Sequence, residues 1–186
     1  MHPSNVLILP GWQNSGPDHW QSRWELFHGY ARVEQHDWQR PLRGDWIARL
    51  EDVLLGNDQS QPAVLVAHSL GCITVAAWAV HSQNTHRVGA ALLVAPPDVE
   101  REEIGGMLPG WTPIPLRRLP FPTVLIASTN DPFCRIDRAR TLAQAWDARM
   151  IEAGPRGHLN ADSGLGDWPE AHSELFNLIR SINTPH

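Results

Sequence analysis

Short apolar runs alternate with longer amphipathic segments along most of this 186-residue chain. The runs have the length of buried strands and cover residues 6–9, 63–67, 90–94, 123–128 and, less apolar, 149–151, with 32–35 as a sixth. Apolar residues at helical spacing fill the segments 18–27, 45–55, 70–80, 138–146 and 169–182. Parallel strands need long crossovers, which helices supply, so the alternation predicts a mostly parallel sheet of about six strands with helices on both faces.

Length and composition limit the number of domains, the partners and the cellular compartment that this chain is expected to have. The chain is long enough for one core and short for two, so we expect a single domain over residues 1–186. A formal charge of −5 without basic clusters argues against nucleic acid as a partner. No apolar stretch approaches the ~20 residues of a membrane-spanning helix. Two cysteines without a CxxC pattern, and no signal-peptide pattern at the start, favour the cytoplasm.

One segment departs from the alternation. Five prolines and three glycines lie between residues 98 and 122, between two predicted strands. This composition predicts an extended surface excursion. It is either a lid or substrate-contact loop, or a connection with no role beyond the fold.

The strongest local motif is Val-Leu-Val-Ala-His-Ser-Leu-Gly-Cys over residues 64–72, an apolar strand that enters a small-x-Ser-x-Gly turn and then a helix. Such a turn raises a nucleophilic serine above the carboxyl edge of a sheet and needs small residues on both sides, here Ala67 and Gly71. Ala67 stands where glycine is usual. The motif predicts Ser69 as a nucleophile and the Leu70 N–H as an oxyanion donor. The alternative is that Ser69 only caps the following helix.

A serine hydroxyl needs a base within hydrogen-bonding reach and a carboxylate that orients the base. In hydrolases with this turn the chain order is serine, acid, histidine. Among the histidines after Ser69, only His158 follows the predicted last strand in a glycine-rich loop, so we predict His158 as the base. The other four are predicted to be solvated: His81, His86, His172 and His186.

Asp131 directly follows the strand 123–128, at the edge of the sheet where functional groups gather, and is the predicted acid. Asp98 also follows a strand end and is its rival. Asp137 is predicted to cap the helix from residue 138, and Asp162 is a loop residue. Asp131 could instead serve only in a turn before Pro132.

The second oxyanion donor is expected from the loop after the first strand, and Trp12 N–H is the candidate. Gly11 would let the backbone approach a substrate closely, although Pro10-Gly11 could be only a turn. We also expect the Trp12 ring at the wall of an apolar acyl site, and His68 to line the pocket or hold the structure. Without an HExxH motif or comparable ligand set, no metal and no cofactor are predicted.

These motifs together resemble the small serine hydrolases related to retinoblastoma-binding protein nine and the bacterial YdeN proteins, within the α/β-hydrolase superfamily. The resemblance covers nearly the whole chain and rests on Leu9-Pro10-Gly11 with His19-Trp20 and Trp24, residues 67–72, Asn130-Asp131-Pro132, Gly157-His158-Leu159-Asn160, Ser163-Gly164 and Trp168-Pro169. It implies a compact α/β-hydrolase without a large cap, and triad roles for Ser69, Asp131 and His158. It also implies hydrolysis of small acyl esters, with amides or thioesters as alternatives.

Two functions are compatible with these sequence features. The first is a serine esterase whose partner is a small-molecule acyl substrate. The second is a binding or interaction module on the same fold with weak or incidental catalysis, because fold and function are separable.

Overall fold

The computed structural model describes residues 5–58 and 60–183. His186, one of the histidines predicted to be solvated, lies outside the described residues. In the described chain no helix is long and apolar enough to cross a membrane.

A six-stranded sheet forms the centre of the molecule. Its strands are β1 (Val6–Leu9), β2 (Ala31–Arg32), β3 (Ala63–His68), β4 (Val88–Val94), β5 (Thr123–Ala127) and β6 (Arg149–Glu152). They lie in the order β2-β1-β3-β4-β5-β6, and every neighbouring pair is parallel. The predicted parallel sheet of about six strands is confirmed. Its carboxyl ends therefore point to one edge.

Helices cover both faces of the sheet, as predicted. They are α1 (Trp20–His28), α2 (Arg43–Gly56), α3 (Leu70–His81), a short α4 (Glu102–Gly105), α5 (Ile136–Trp146) and α6 (Pro169–Asn183). The fold is a compact α/β-hydrolase, and in the described part of the chain no large cap domain is present.

Alternate residues of each strand enter two separate hydrophobic cores. In β3, Leu65 faces the core beneath α2, α3 and α5, whereas Val64 and Val66 face the core beneath α1 and α6. Side chains of a strand point alternately to the two faces of a sheet, so a strand buried on both faces must be apolar throughout. This explains the continuous apolar runs in the sequence.

The segment 98–122 is not the surface excursion that its prolines and glycines suggested. Its apolar side chains are buried in the core on the α2 and α5 side, among them Ile104, Leu108 and Trp111. Trp111 donates its indole N–H to the Pro41 carbonyl at 2.9 Å, and Arg43 donates to the Pro113 carbonyl at 3.0 Å. The prolines shape an irregular path, but the apolar residues between them anchor it to the core.

Three smaller predictions also need correction. Strand β2 is two residues long rather than 32–35, and in the described chain it lies at the edge of the sheet and pairs with the short strand β1. Asp137 is not a helix cap, since α5 begins at Ile136 and Asp137 pairs with Arg140 within the first turn. His172 is buried rather than solvated, because its ring packs against Trp24 and its Nε2 bonds the Tyr30 hydroxyl at 2.9 Å.

Glu51 on α2 is the acceptor of a partly buried network that joins α2 to the end of α3. Its carboxylate accepts from Trp78 Nε1 at 2.5 Å, Ser82 Oγ at 2.8 Å and Asn84 Nδ2 at 2.6 Å. Burial alone would raise the pKa of Glu51, but these three hydrogen bonds and the nearby Arg87 charge outweigh burial and lower the pKa. The ionised carboxylate is therefore the form that the fold stabilises.

Replacing Glu51 by alanine should lower the free energy of unfolding by about 2 kcal/mol, because the buried Trp78 N–H loses its acceptor. The matched control is Asp52→Ala, which removes an exposed carboxylate one position along the same helix and should change stability by less than about 0.5 kcal/mol. Urea denaturation at pH 7 measures both. Equal losses for the two variants would contradict the prediction.

Candidate active site

Ser69 lies in a sharp turn between β3 and α3. Its backbone has a φ of +53° and a ψ of −124°, an unfavourable conformation for a residue with a side chain. The turn is held on both sides, since Ser69 N–H donates to the Val94 carbonyl at 2.9 Å and the Cys72 N–H donates to the Ser69 carbonyl at 2.9 Å. The strand, turn and helix thus have the arrangement that the motif predicts.

Two glycines allow the loop after β1 to pack against this turn. A Cβ on Gly71 would lie 2.4 Å from the Leu9 carbonyl oxygen, and one on Gly11 would lie 2.7 Å from Ser69 Cβ. Real Cβ atoms do not approach that closely, so both positions require glycine. Ala67, the departure from the usual motif, is fully buried at the end of β3.

The three residues predicted as a triad are brought together. His158 Nε2 is 2.9 Å from Ser69 Oγ, and His158 Nδ1 is 3.0 and 2.9 Å from the two carboxylate oxygens of Asp131. The side chain of Asp131 is 3% exposed and that of His158 10% exposed. Asp131 Oδ1 also accepts the Phe133 N–H at 2.8 Å, which fixes the carboxylate. The hydroxyl, imidazole and carboxylate form one hydrogen-bonded chain.

Asp98, the rival acid, has a different partner. Its carboxylate accepts from Arg138 Nε at 3.3 Å, and Arg138 also pairs with Glu100. Asp98 therefore holds α5 against the segment after β4. The histidine contacts Asp131 instead.

The two candidate oxyanion donors lie on either side of the serine. Leu70 is the first residue of α3, so its N–H belongs to the unpaired amides at a helix N-terminus. Trp12 follows Gly11, where an added Cβ would meet the Ser69 side chain. Within the described chain the next amide, Gln13 N–H, donates to the Trp38 carbonyl at 3.0 Å, whereas Trp12 N–H has no backbone acceptor.

Comparison with known proteins agrees with this geometry. A family model for serine hydrolases matches residues 6–177. The chain belongs to the serine hydrolase family. A YdeN-like hydrolase from Pectobacterium atrosepticum is 30% identical, with a TM-score of 0.82 over 95% of this chain and 91% of that one. No curated protein matches the chain.

More distant solved structures share the fold. The ydeN gene product from B. subtilis is 22% identical, with a TM-score of 0.75 over 94% of this chain and 98% of that chain. An esterase from a Rhodococcus species is 14% identical, with a TM-score of 0.69 over 96% of this chain and 90% of that chain. The resemblance to YdeN-type serine hydrolases found in the motifs is confirmed.

His68, predicted to line the pocket or hold the structure of this serine hydrolase, contacts the loop of the histidine. Its Nε2 lies 2.9 Å from the His158 carbonyl oxygen. A carbonyl only accepts, so His68 donates from Nε2 and is the Nε2–H tautomer. Trp20 donates to the next carbonyl, that of Leu159, at 2.8 Å. Two buried side chains thus position the loop that carries His158.

His19 belongs to the family motif but has no predicted role of its own. Its Nδ1 caps α1 by accepting the Gln21 N–H at 3.1 Å, and its ring packs edge-on against His68 at 4.7 Å between centroids. Burial, followed by the charge of Arg32 and the neighbouring His158, lowers the pKa of His19 to about 3. Burial also lowers the pKa of His68 well below 6.5. Both rings are therefore neutral beside the serine.

A cavity of about 230 Å³ opens beside Ser69 and His158. Trp12 and His68 line it. Gly11, predicted to contact the substrate, is not among the described residues that line it, although a Cβ at Gly11 would meet the Ser69 side chain. The remaining lining side chains that matter for its chemistry are polar: Gln13, Asn14, His19 and Asn160. The apolar acyl site that the Trp12 ring suggested therefore has a mostly polar wall. None of the residues lining this cavity belongs to the described segment 98–122.

Polar residues at the strand ends, for which the sequence suggested no role, connect the loops that carry Asp131 and His158. Ser128 Oγ accepts the Arg156 N–H at 2.9 Å, and Asn130 Oδ1 accepts the Gly157 N–H at 2.8 Å. Their position directly before Asp131 was the available signal. Among the residues that the structure describes, no group of three or more His, Cys, Asp or Glu side chains could hold a metal ion.

The close approach at Gly71 gives a stability prediction. Gly71→Ala should lower the free energy of unfolding by about 3 kcal/mol, because the new methyl group meets backbone atoms that cannot move aside. Gly44 occupies the same second position of α2, and a methyl group added there would have no atom within 4 Å, so Gly44→Ala is the matched control and should not destabilise. Chemical denaturation compares the two. A Gly71→Ala variant as stable as Gly44→Ala would contradict the prediction.

The neutral histidines give a pH prediction. His19 has a lowered pKa in the folded state, so its contribution to stability is fully present above pH 6.5 and is lost as pH falls toward its folded pKa of about 3. Between pH 7 and 5, His19 alone should remove about 2 kcal/mol from the free energy of unfolding.

The matched experiment compares His19→Asn with His86→Asn. Asparagine retains a capping oxygen for α1, so the readout is the change in stability between pH 7 and 5 rather than stability itself. The loss should be about 2 kcal/mol smaller in His19→Asn than in wild type. The exposed His86 should leave the loss unchanged. An identical loss in His19→Asn and wild type would show that His19 titrates normally.

Proposed function

We propose that this serine hydrolase cleaves small acyl esters as a carboxylesterase, with Ser69 as nucleophile, His158 as general base and acid, and Asp131 as the orienting carboxylate. The observation that carries the proposal is the unbroken chain from Ser69 Oγ through His158 to Asp131, with contacts of 2.9 to 3.0 Å. Such a chain activates a hydroxyl that is otherwise a weak nucleophile at neutral pH.

In the first step, Ser69 Oγ attacks the carbonyl carbon of the ester while its proton passes to His158 Nε2. The carbonyl π electrons move to oxygen, and the Leu70 and Trp12 N–H groups stabilise the resulting oxyanion. Asp131 stabilises the imidazolium through Nδ1. The tetrahedral intermediate collapses, the C–O bond to the alcohol breaks, and His158 returns its proton to the departing alkoxide.

In the second step, water attacks the acyl-enzyme and transfers a proton to His158. The Ser69 ester bond breaks, the same proton returns to Ser69 Oγ, and the carboxylic acid leaves. The mechanism uses only side chains and amides of this chain, so no cofactor takes part in it. Thioesters and activated amides would follow the same steps, and we place the reaction in the cytoplasm, where the buried thiols Cys72 and Cys134 would stay reduced.

Esters are proposed as the main substrates because of the chemistry of the leaving group. Alcohols leave more readily than amines, so an ester makes the smaller demand on proton donation by His158. An esterase from Rhodococcus also has this fold, although at 14% identity this likeness supports the fold rather than the substrate.

Replacing Ser69 by alanine should abolish both labelling by a fluorophosphonate probe and turnover of p-nitrophenyl acetate and butyrate, with a loss on the order of 10⁶ in rate down to background. Asp131→Asn should lose about 10⁴, because the imidazole is no longer held in the productive tautomer. His158→Ala should lose ester turnover to the same extent as Ser69→Ala.

The matched control for the acid is Asp98→Asn. It removes the same charge from the rival aspartate, which pairs with Arg138, and should retain turnover within about threefold of wild type. Melting temperatures show that each variant is folded. Asp98→Asn losing activity while Asp131→Asn keeps it would overturn the acid assignment. Folded wild type that neither labels nor hydrolyses either ester would favour the binding-module alternative.

A further inference from the structure

The cavity beside Ser69 is small and polar for a hydrolase of simple alkyl esters. Ligand sites are usually about 300 to 1,000 Å³ and lined mostly by apolar side chains. This one measures about 230 Å³, and its side walls carry the amides of Gln13, Asn14 and Asn160 together with two imidazoles. Among the residues that the structure describes, no lysine or arginine lines it. Its chemistry suits a short group with a neutral oxygen rather than an alkyl chain or a carboxylate.

Asn160 has the most favourable position of these groups. It lies two residues after His158 and lines both the cavity at Ser69 and a wider depression of about 530 Å³, which also touches His158. A hydrogen bond donated by the Asn160 side chain would therefore reach the substrate next to His158.

A local turn fixes which end of the Asn160 amide is available. The Ser163 N–H at the end of the short 3-10 helix Ala161–Ser163 donates to the Asn160 backbone carbonyl at 3.1 Å, and the Asn160 side-chain oxygen faces the same N–H in a capping box. Asn160 N–H donates to Ser163 Oγ at 3.2 Å. Only the amide oxygen can accept, so the orientation follows from this cap. The Nδ2 group points away from that bond and has no acceptor among the residues that the structure describes.

The acyl group is the part of the substrate that would occupy the cavity. It stays attached to Ser69 Oγ through both steps, whereas the alcohol departs after taking a proton from His158. The cavity lined by Ser69 therefore suits the acyl group, and the wider depression, which His158 lines and Ser69 does not, suits the alcohol.

We propose that Asn160 is a specificity-determining residue whose Nδ2–H donates to an oxygen in a short acyl group. The preferred substrates are then esters of small oxygen-bearing acids, such as alkoxy, hydroxy or keto acids, rather than plain alkanoates. This inference rests on the proposed esterase function. The neutral His19 and His68 rings beside the site agree with it, because they provide no charge for a carboxylate.

The test uses two esters that differ in one position of the acyl chain. p-Nitrophenyl methoxyacetate replaces a CH₂ of p-nitrophenyl butyrate by an ether oxygen, so length and leaving group are the same. The methoxyacetate is intrinsically more reactive, and the ratio of hydroxide-catalysed rates corrects for this. For wild type, the ratio of kcat/KM for the methoxyacetate to kcat/KM for the butyrate should exceed the same ratio of hydroxide-catalysed rates about fivefold. A fivefold excess corresponds to one net neutral hydrogen bond.

Two substitutions of Asn160 test whether the excess comes from its Nδ2 group. Asn160→Asp keeps an oxygen that can cap the turn but replaces the donor by an acceptor, so the excess should disappear or reverse. Asn160→Ser also keeps a capping oxygen and is too short to donate into the cavity, and it should bring the ratio to the hydroxide value. If Asn160→Asp fails to fold, Asn160→Ser still decides the matter. Asn177→Asp makes the same change on an exposed part of α6 and should keep the wild-type ratio.

The outcomes separate this inference from the proposed function. If both esters are hydrolysed and Ser69→Ala is inactive, but the wild-type ratio equals the hydroxide ratio or Asn160→Asp leaves it unchanged, the specificity assignment is wrong and the esterase function stands. If wild type hydrolyses neither ester faster than Ser69→Ala, both are wrong.

Discussion

The arrangement of the site depends on hydrogen bonding between neighbouring parallel strands at the carboxyl edge of the sheet. The bonding continues past the strand ends into the loops: Ser69 N–H donates to Val94, and Thr129 N–H donates to Gly154. These bonds tie the turn after β3 to β4, and the loop after β5 to the loop after β6. The loops that carry Ser69, Asp131 and His158 therefore begin from fixed positions, although the hydrogen-bonded residues lie 27 to 89 positions apart in the chain.

Side-chain hydrogen bonds add to these backbone contacts and fix the loop that carries His158. Ser128 and Asn130 accept amides from the loop before His158, and His68 and Trp20 donate to the carbonyls of His158 and Leu159. Leu159 itself has a φ of +51°, which a non-glycine residue adopts only when its surroundings hold it. The imidazole is thus held from its backbone as well as from Asp131. Rigid support of this kind is what the proposed catalytic contact of 2.9 Å between His158 Nε2 and Ser69 Oγ requires.

Burial determines the charge state around the serine. His19 and His68 lie in an environment that disfavours the charged imidazole, so both remain neutral beside His158, which gains and loses a proton in the proposed mechanism. Because His19 and His68 are neutral, the charged group that His158 contacts directly is the Asp131 carboxylate. The same neutrality makes the cavity a hydrogen-bonding surface rather than a charged one, and this distinguishes it from the apolar acyl site that Trp12 alone suggested.

The sequence by itself determined the parallel sheet, the turn at Ser69 and the choice of His158 as the histidine that meets it, because these follow from local patterns and from the strand ends at which they occur. It did not determine the path of residues 98–122, where the prolines were informative about regularity but not about burial, nor the burial of His172, which depends on Trp24 and Tyr30 from distant elements. The choice between Asp131 and Asp98 as the partner of His158 and the polar wall of the cavity were also decided only by the tertiary structure. The physical reason is that a partner, an exposure or a cavity is a property of several segments in contact, and no one segment carries that information in its own pattern.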